Sequence, residues 1–170
     1  QGLSKDMKKI TITTGSATTD LTGKACTPYG FHWVYDTNML SNVTGGALVK
    51  EGGDNWYFLT ADYAFGHNLE ASGRAVVEAA GGQVLGSVRH PLSTPDFSSF
   101  LLQAQSSGAK VIGLANAGLD AQSAIKQAAE FGITQSGQRL AALLVTLSEV
   151  RGLGAESAQG LYLAESYYWD

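Results

Sequence analysis

Apolar residues along this chain fall into two recurring patterns: short continuous runs of strand length, and longer stretches in which they return every three or four positions. Residues 56–60 form the first such run, and Leu69, Gly73, Val76, Val77 and Ala80 then share one helical face that Gly81 and Gly82 close. Residues 84–88 predict the next strand, after which Pro95 and Asp96 predict the start of a helix burying Phe97, Phe100, Leu101 and Ala104. Residues 111–114 predict a third buried strand, followed by a helix with Ala121, Ala124, Ile125 and Ala128 inward and Gly132 at its end. Residues 140–145 predict a fourth strand and residues 160–164 a fifth.

Upstream, the first residues read as the end of a helix entering a strand at residues 9–14, and a polar, threonine-rich loop follows over residues 15–30. From Thr37, a predicted N-cap, Leu40, Val43, Ala47 and Leu48 form a helical stripe that runs out at Gly52 and Gly53. Strands apolar on both faces, separated by amphipathic helices, require a mostly parallel sheet covered on both sides. The expected fold class is therefore α/β, doubly wound, with helices on both faces. Ligands of such folds bind beyond the carboxyl ends of the strands, which directs attention to the loops at residues 61–66, 89–96, 115–120 and 146–152. The final residues, Tyr167, Tyr168, Trp169 and Asp170, stop just after a strand without a closing element, so the chain reads as an excerpt of a longer protein.

Composition narrows the function classes. With 44% hydrophobic and 15% charged residues over 170 positions, the chain suits one globular domain with a substantial core. A net charge of -4 supplies no basic patch, so nucleic acid is not an expected partner. No apolar run reaches the roughly 20 residues that span a bilayer. Neither a phosphate-binding glycine loop nor a nucleophile elbow is present, and His32, His67 and His90 lack the spacing of a metal site. Cys26 has no partner cysteine within the chain, which leaves pairing with a cysteine outside it open. The sequence thus implies no cofactor, no metal and no catalysis. Asn42, Val43 and Thr44 match a glycosylation acceptor but fall within a predicted helix.

The stretch Trp-Tyr-Phe-Leu-Thr-Ala-Asp-Tyr-Ala-Phe-Gly at residues 56–66 resembles the leucine/isoleucine/valine-type solute-binding proteins of ABC transporters, which carry a strand, an acidic residue and an aromatic-glycine step there. The resemblance continues through Ala-Ala-Gly-Gly at residues 79–82, Asp96-Phe97-Ser98, and Lys-Gln-Ala-Ala-Glu-Phe-Gly at residues 126–132. Upstream, Gly-Ser-Ala-Thr-Thr-Asp-Leu-Thr at residues 15–22 is similar to the family's Ser-Ala-Thr segment, which ends the first lobe and touches the ligand's charged head. The resemblance implies a type I periplasmic-binding fold of two α/β lobes that close on a ligand. Residues 1–30 would be an edge of the first lobe with the crossover, residues 31–165 the second lobe, and residues 166–170 a return toward the hinge. It further implies a periplasmic, non-enzymatic protein whose partners are a small carboxylate or amino acid, a membrane permease and the missing first lobe. An isolated lobe, with its cleft face exposed, also invites a dimer. A ligand-sensing domain of a receptor or transcription regulator with the same fold is the alternative.

Carried onto this chain, the resemblance makes Phe65 the cleft aromatic, although a loop aromatic tucked against its own helix would look the same in sequence. Tyr63 either offers a hydroxyl nearby or sits at the rim. Asn116, Ala117 and Gly118 occupy the loop where amino-acid-binding members often carry a tyrosine, giving a smaller wall and one available amide. Thr146 stands where amino-acid binders present a carboxylate to the ligand ammonium; without that acid an amine would be buried unpaired, so the expected ligand is a carboxylate with an apolar, aromatic or aliphatic body. Glu149, if the register slips, would restore the charge and keep branched-chain amino acids in play. Ser16, Ala17 and Thr18 would present hydroxyls and backbone amides to the ligand's carboxylate, or form no more than a threonine-rich surface loop.

Overall fold

A computed structural model describes residues 1–166. The five strands expected downstream of residue 50 are β3 (Asn55–Ala61), β4 (Gln83–His90), β5 (Val111–Ala115), β6 (Arg139–Ala142) and β7 (Leu161–Leu163), which form one parallel sheet in the order β4-β3-β5-β6-β7. Helices α2 (Thr37–Lys50) and α3 (Ala64–Ala79) cover one face; α4 (Ser98–Ser106), α5 (Gly118–Glu130) and α6 (Leu147–Leu153) cover the other. Ahead of this body lie α1 (Gly2–Asp6), β1 (Thr11–Thr13), a 3₁₀ turn at Thr19–Leu21, and β2 (Gly30–His32). Strands β1 and β2 pair in parallel as a separate two-stranded sheet.

Alternation along the central strands distributes the core between the two faces. Trp56 and Phe58 point toward α2 and α3, where Leu40, Leu48, Leu69 and Val77 meet them; Leu59, Ile112, Leu114 and Leu140 meet Phe97, Leu101, Ala124 and Ile125 on the opposite side. The ring of Phe58 fits only because two facing residues lack side chains: a β-carbon on Gly73 of α3 would stand 2.9 Å from it, and one on Gly113 of β5 would stand 2.7 Å away. All four α5 residues expected inward are fully buried, and Gly132 ends that helix with φ +66°.

Several local expectations shift. The N-cap of α2 is Asp36 rather than Thr37: its carboxylate accepts the Met39 N–H at 2.7 Å, while the Thr37 N–H donates to the Ala17 carbonyl at 2.9 Å. Helix α4 starts at Ser98, two residues beyond Asp96, because Asp96 caps from outside by accepting from the Ser98 N–H at 2.8 Å. Ala80 is exposed because α3 has already ended. Strand β4 is an edge strand with alternating exposure rather than a run buried on both faces. The segment 146–152, read as a loop, is mostly α6. The 3₁₀ turn within residues 15–30 carries no periodic signal, and β2, three residues long and opening on Gly30, offers no alternation to read. The return toward the hinge expected at residues 166–170 lies, beyond residue 166, outside the described residues.

Candidate functional site

Strand order reverses between β3 and β5: the chain leaves β3 for β4 on one side and leaves β5 for β6 on the other, with α3 and α5 on opposite faces. Such a switch point opens a crevice at the carboxyl ends of the two strands. From the end of β3 the Asp62 N–H donates to the His90 carbonyl at 2.8 Å and the Tyr63 N–H to the Ala61 carbonyl at 2.8 Å, a tight turn that delivers Tyr63 as the N-cap of α3. Tyr63 offers no side-chain cap, so among the described residues no side chain accepts from the first-turn N–H groups of α3. Gly66 lets this first turn seat directly on the Ala61 carbonyl, which any β-carbon would overlap. The rings of Tyr63 and Phe65 lie 5.8 Å apart at 48°.

Opposite this turn runs the loop of residues 15–18. Two of its carbonyls are held: that of Ser16 accepts from His32 Nε2 at 2.8 Å in an exposed contact, and that of Ala17 from the Thr37 N–H at 2.9 Å. Thr18 Oγ1 accepts the Asp20 N–H at 3.3 Å and caps the 3₁₀ turn. Among the described residues, no protein group accepts from the backbone N–H groups of Ser16, Ala17 or Thr18.

Between the loop and the α3 turn lies a cavity of about 540 Å³, lined by Gly15, Ser16, Ala17, Thr18, Thr37, Tyr63, Ala64, Phe65 and Asn68. Its size suits a small organic ligand. No lining side chain is a carboxylate, an ammonium or a guanidinium. Burial, and then the negative charge of Asp120, pushes the Tyr63 phenol above its ordinary range, which keeps it a neutral donor at neutral pH. A wider groove of about 840 Å³ runs between α2 and α3, lined mainly by small side chains such as Gly46, Ala71, Ala75 and Ala79; it lies on a helical face, away from the switch point.

The cavity brings together Ser16, Ala17, Thr18, Tyr63 and Phe65, residues from segments almost fifty positions apart. It does not include Asn116, Ala117, Gly118 or Thr146. Asn116 is fully buried; its Nδ2 donates to His90 Nε2 at 3.2 Å, and its Oδ1 is buried without a partner among the described residues. The His90 Nδ1 faces the Pro91 carbonyl at 2.8 Å, which fixes the hydrogen on Nδ1 and leaves Nε2 to accept. Ala117 is the N-cap of α5 and Gly118 follows with φ +60°. Thr146 is the N-cap of α6 in a capping box: Glu149 accepts from the Thr146 N–H at 2.7 Å and from its hydroxyl at 2.9 Å, with Gln122 Nε2 donating to the other oxygen at 3.4 Å. Both oxygens of Glu149 are thereby occupied.

Thr37 and Asn68 also line the cavity, and the sequence marks neither as a site residue. Asn68 could have been found, since it lies one helical turn after Phe65 on the same face. Thr37 could not: its place depends on α2 packing against α3. Among the described residues no cluster of His, Cys, Asp and Glu could hold a metal ion, and no helix is long and apolar enough to cross a membrane.

The sequence profile of the periplasmic binding proteins matches residues 4–170. No curated protein sequence matches the chain. Among solved structures, a periplasmic binding protein from Burkholderia mallei is 55% identical, with a TM-score of 0.91 over 99% of this chain and 45% of its own. A branched-chain amino acid ABC transporter periplasmic ligand-binding protein from Burkholderia xenovorans is 36% identical, with a TM-score of 0.89 over 99% of this chain and 45% of its own. A solute-binding protein of an ABC transporter from Rhodopseudomonas palustris, in complex with p-hydroxybenzoic acid, is 26% identical, with a TM-score of 0.78 over 91% of this chain and 42% of its own. The chain therefore spans under half the length of the solved proteins it matches.

Proposed function

The chain belongs to the periplasmic binding protein family, whose members are solute-binding proteins and not enzymes, and from that premise we propose that it is the solute-capturing component of an ABC transporter for a small carboxylate that carries no amine. The protein works in the periplasm and hands its ligand to a membrane permease. Residues 31–165 supply one lobe, residues 1–30 an edge of the other with the crossover, and the cleft is completed by the rest of the first lobe.

The observation that carries the ligand class is the lining of the cavity. The loop wall offers backbone N–H groups of residues 16–18 that no described protein group accepts from, and the α3 wall its uncapped first turn, an arrangement that binds a carboxylate without a cationic side chain. The α3 wall also carries the rings of Tyr63 and Phe65, which suit an apolar or aromatic body. An ammonium group would meet no carboxylate among the lining side chains of this cavity, and Glu149 is committed to capping α6; an unpaired buried cation is costly. The likeness to a protein solved with p-hydroxybenzoic acid agrees with this chemistry.

Isothermal titration calorimetry on the full-length protein with benzoate, 4-hydroxybenzoate, leucine and valine tests the proposal. Binding of the benzoates with weak or absent binding of the amino acids is the expected result. Tight binding of leucine or valine with none of the benzoates would overturn it.

A further inference from the structure

We propose that His32 is a positioning residue for the carboxylate site: its Nε2–H holds the Ser16 carbonyl toward β2, and so aims the amide of residue 17 at the ligand. The inference rests on the carboxylate reading given above and names the group that builds that wall.

The argument starts from register. His32 closes β2 directly beside Thr13, the last residue of β1, and the chain runs from Thr13 into the cavity loop. The imidazole therefore sits on the strand next to the one that feeds the loop, near enough for Nε2 to lie 2.8 Å from the Ser16 oxygen. A carbonyl can only accept, so the hydrogen is on Nε2. Among the described residues no other group donates to this oxygen.

Peptide geometry carries the consequence to the ligand side. In a trans peptide the carbonyl and the following N–H point in opposite directions, and no peptide among the described residues is cis. Drawing the Ser16 carbonyl toward His32 turns the Ala17 N–H the other way, and drawing the Ala17 carbonyl toward the Thr37 N–H does the same for Thr18. The second plane is held by backbone and survives any substitution. The first is held by one side chain, and without it the Ser16–Ala17 peptide is free to rotate and present its oxygen, a repulsive group, to an incoming carboxylate.

Calorimetry on the full-length protein would compare wild type, His32→Ala and His32→Gln, with benzoate as probe and leucine as a second carboxylate. His32→Ala is expected to weaken benzoate binding roughly three- to tenfold, the worth of one hydrogen bond, and His32→Gln to restore it, because the glutamine amide places an N–H at similar reach. His32 is half-buried at the end of a two-stranded sheet, so the melting temperature without ligand is expected to stay close to that of wild type in both variants. Unchanged binding in His32→Ala, or weakened binding that His32→Gln does not restore, overturns the assignment. A wild-type protein that binds leucine but not benzoate removes the amine-free reading alone, and the His32 comparison is then read with leucine. A wild-type protein that binds neither overturns both.

Discussion

The α-carbon of Gly66 lies against the carbonyl oxygen of Ala61, and a β-carbon at position 66 would also stand 3.1 Å from the carbonyl oxygen of Ala115. The first turn of α3 thus rests on the ends of the two central strands, β3 and β5, at the point where strand order reverses. That seating sets the height of Tyr63 and Phe65 above the sheet, and with it one wall of the cavity. A single missing methyl group links the packing of the sheet to the shape of the site.

Gly66→Ala must therefore lift α3 or distort the end of β3. Overpacking of this kind costs about 3 kcal/mol where the neighbour is backbone and cannot rotate away. Urea denaturation is expected to show a lower midpoint with an unchanged slope, and carboxylate binding is expected to fall with it.

Glu70 gives the fold an acid limit. It is buried on α3, where it accepts from Thr60 Oγ1 at 2.8 Å and pairs with Arg74 Nη2 at 3.2 Å. Burial alone would raise its pKa, but the hydrogen bonds from Thr60, Ser87 and Arg74 together outweigh burial and hold it below the ordinary value of 4.5. A carboxylate whose folded pKa is depressed contributes stability that is fully present above its unfolded pKa and is lost as pH falls through the folded one. Wild-type stability is expected to decline below that ordinary value. Glu70→Gln should be less stable at neutral pH, by about 2 kcal/mol for a charge-assisted bond, and should show a shallower acid decline when urea midpoints are compared across pH.

Glu149 separates a helix cap from an ammonium ligand. As the reciprocal partner of Thr146 at the start of α6, its removal in Glu149→Ala is expected to cost about 1 kcal/mol of stability. Benzoate affinity should be unchanged. If the same variant instead abolished binding of leucine by the wild-type protein, Glu149 would be serving the ligand's amine.

The sheet and its helices were legible because periodicity decides them: a helix that buries Ala121, Ala124, Ile125 and Ala128 shows its inner face in the sequence, and β5 shows itself as a run with no polar residue. Edge strand β4 and the three-residue β2 were less legible, since exposure at an edge and brevity both erase the pattern. Ser16, Ala17, Thr18, Tyr63 and Phe65 are singled out by the resemblance alone, and the fold gathers them in one cavity. Asn116 and Thr146 illustrate the limit. Their positions after β5 and β6 mark them as loop residues at the right edge of the sheet, but the partners that engage their side chains, His90 and Glu149, follow from packing and local cap geometry that strand position does not reveal.

Phe65 tests whether the aromatic wall contacts ligand or serves only its own helix. The side chain is partly buried, packs on the core beneath α3 and meets the Tyr63 ring, so both roles are structurally available. Truncation in Phe65→Ala removes apolar area worth about 2 kcal/mol wherever that area is buried. If the ring covers the ligand, benzoate binding should weaken about thirtyfold while Phe65→Leu, which keeps bulk but no ring, recovers only part of it. If the ring serves the helix alone, the loss should appear as a lower melting temperature without ligand, and benzoate affinity measured well below that temperature should stay at the wild-type value. Running calorimetry and thermal melts on the same two variants therefore assigns Phe65 to the cleft or to the core.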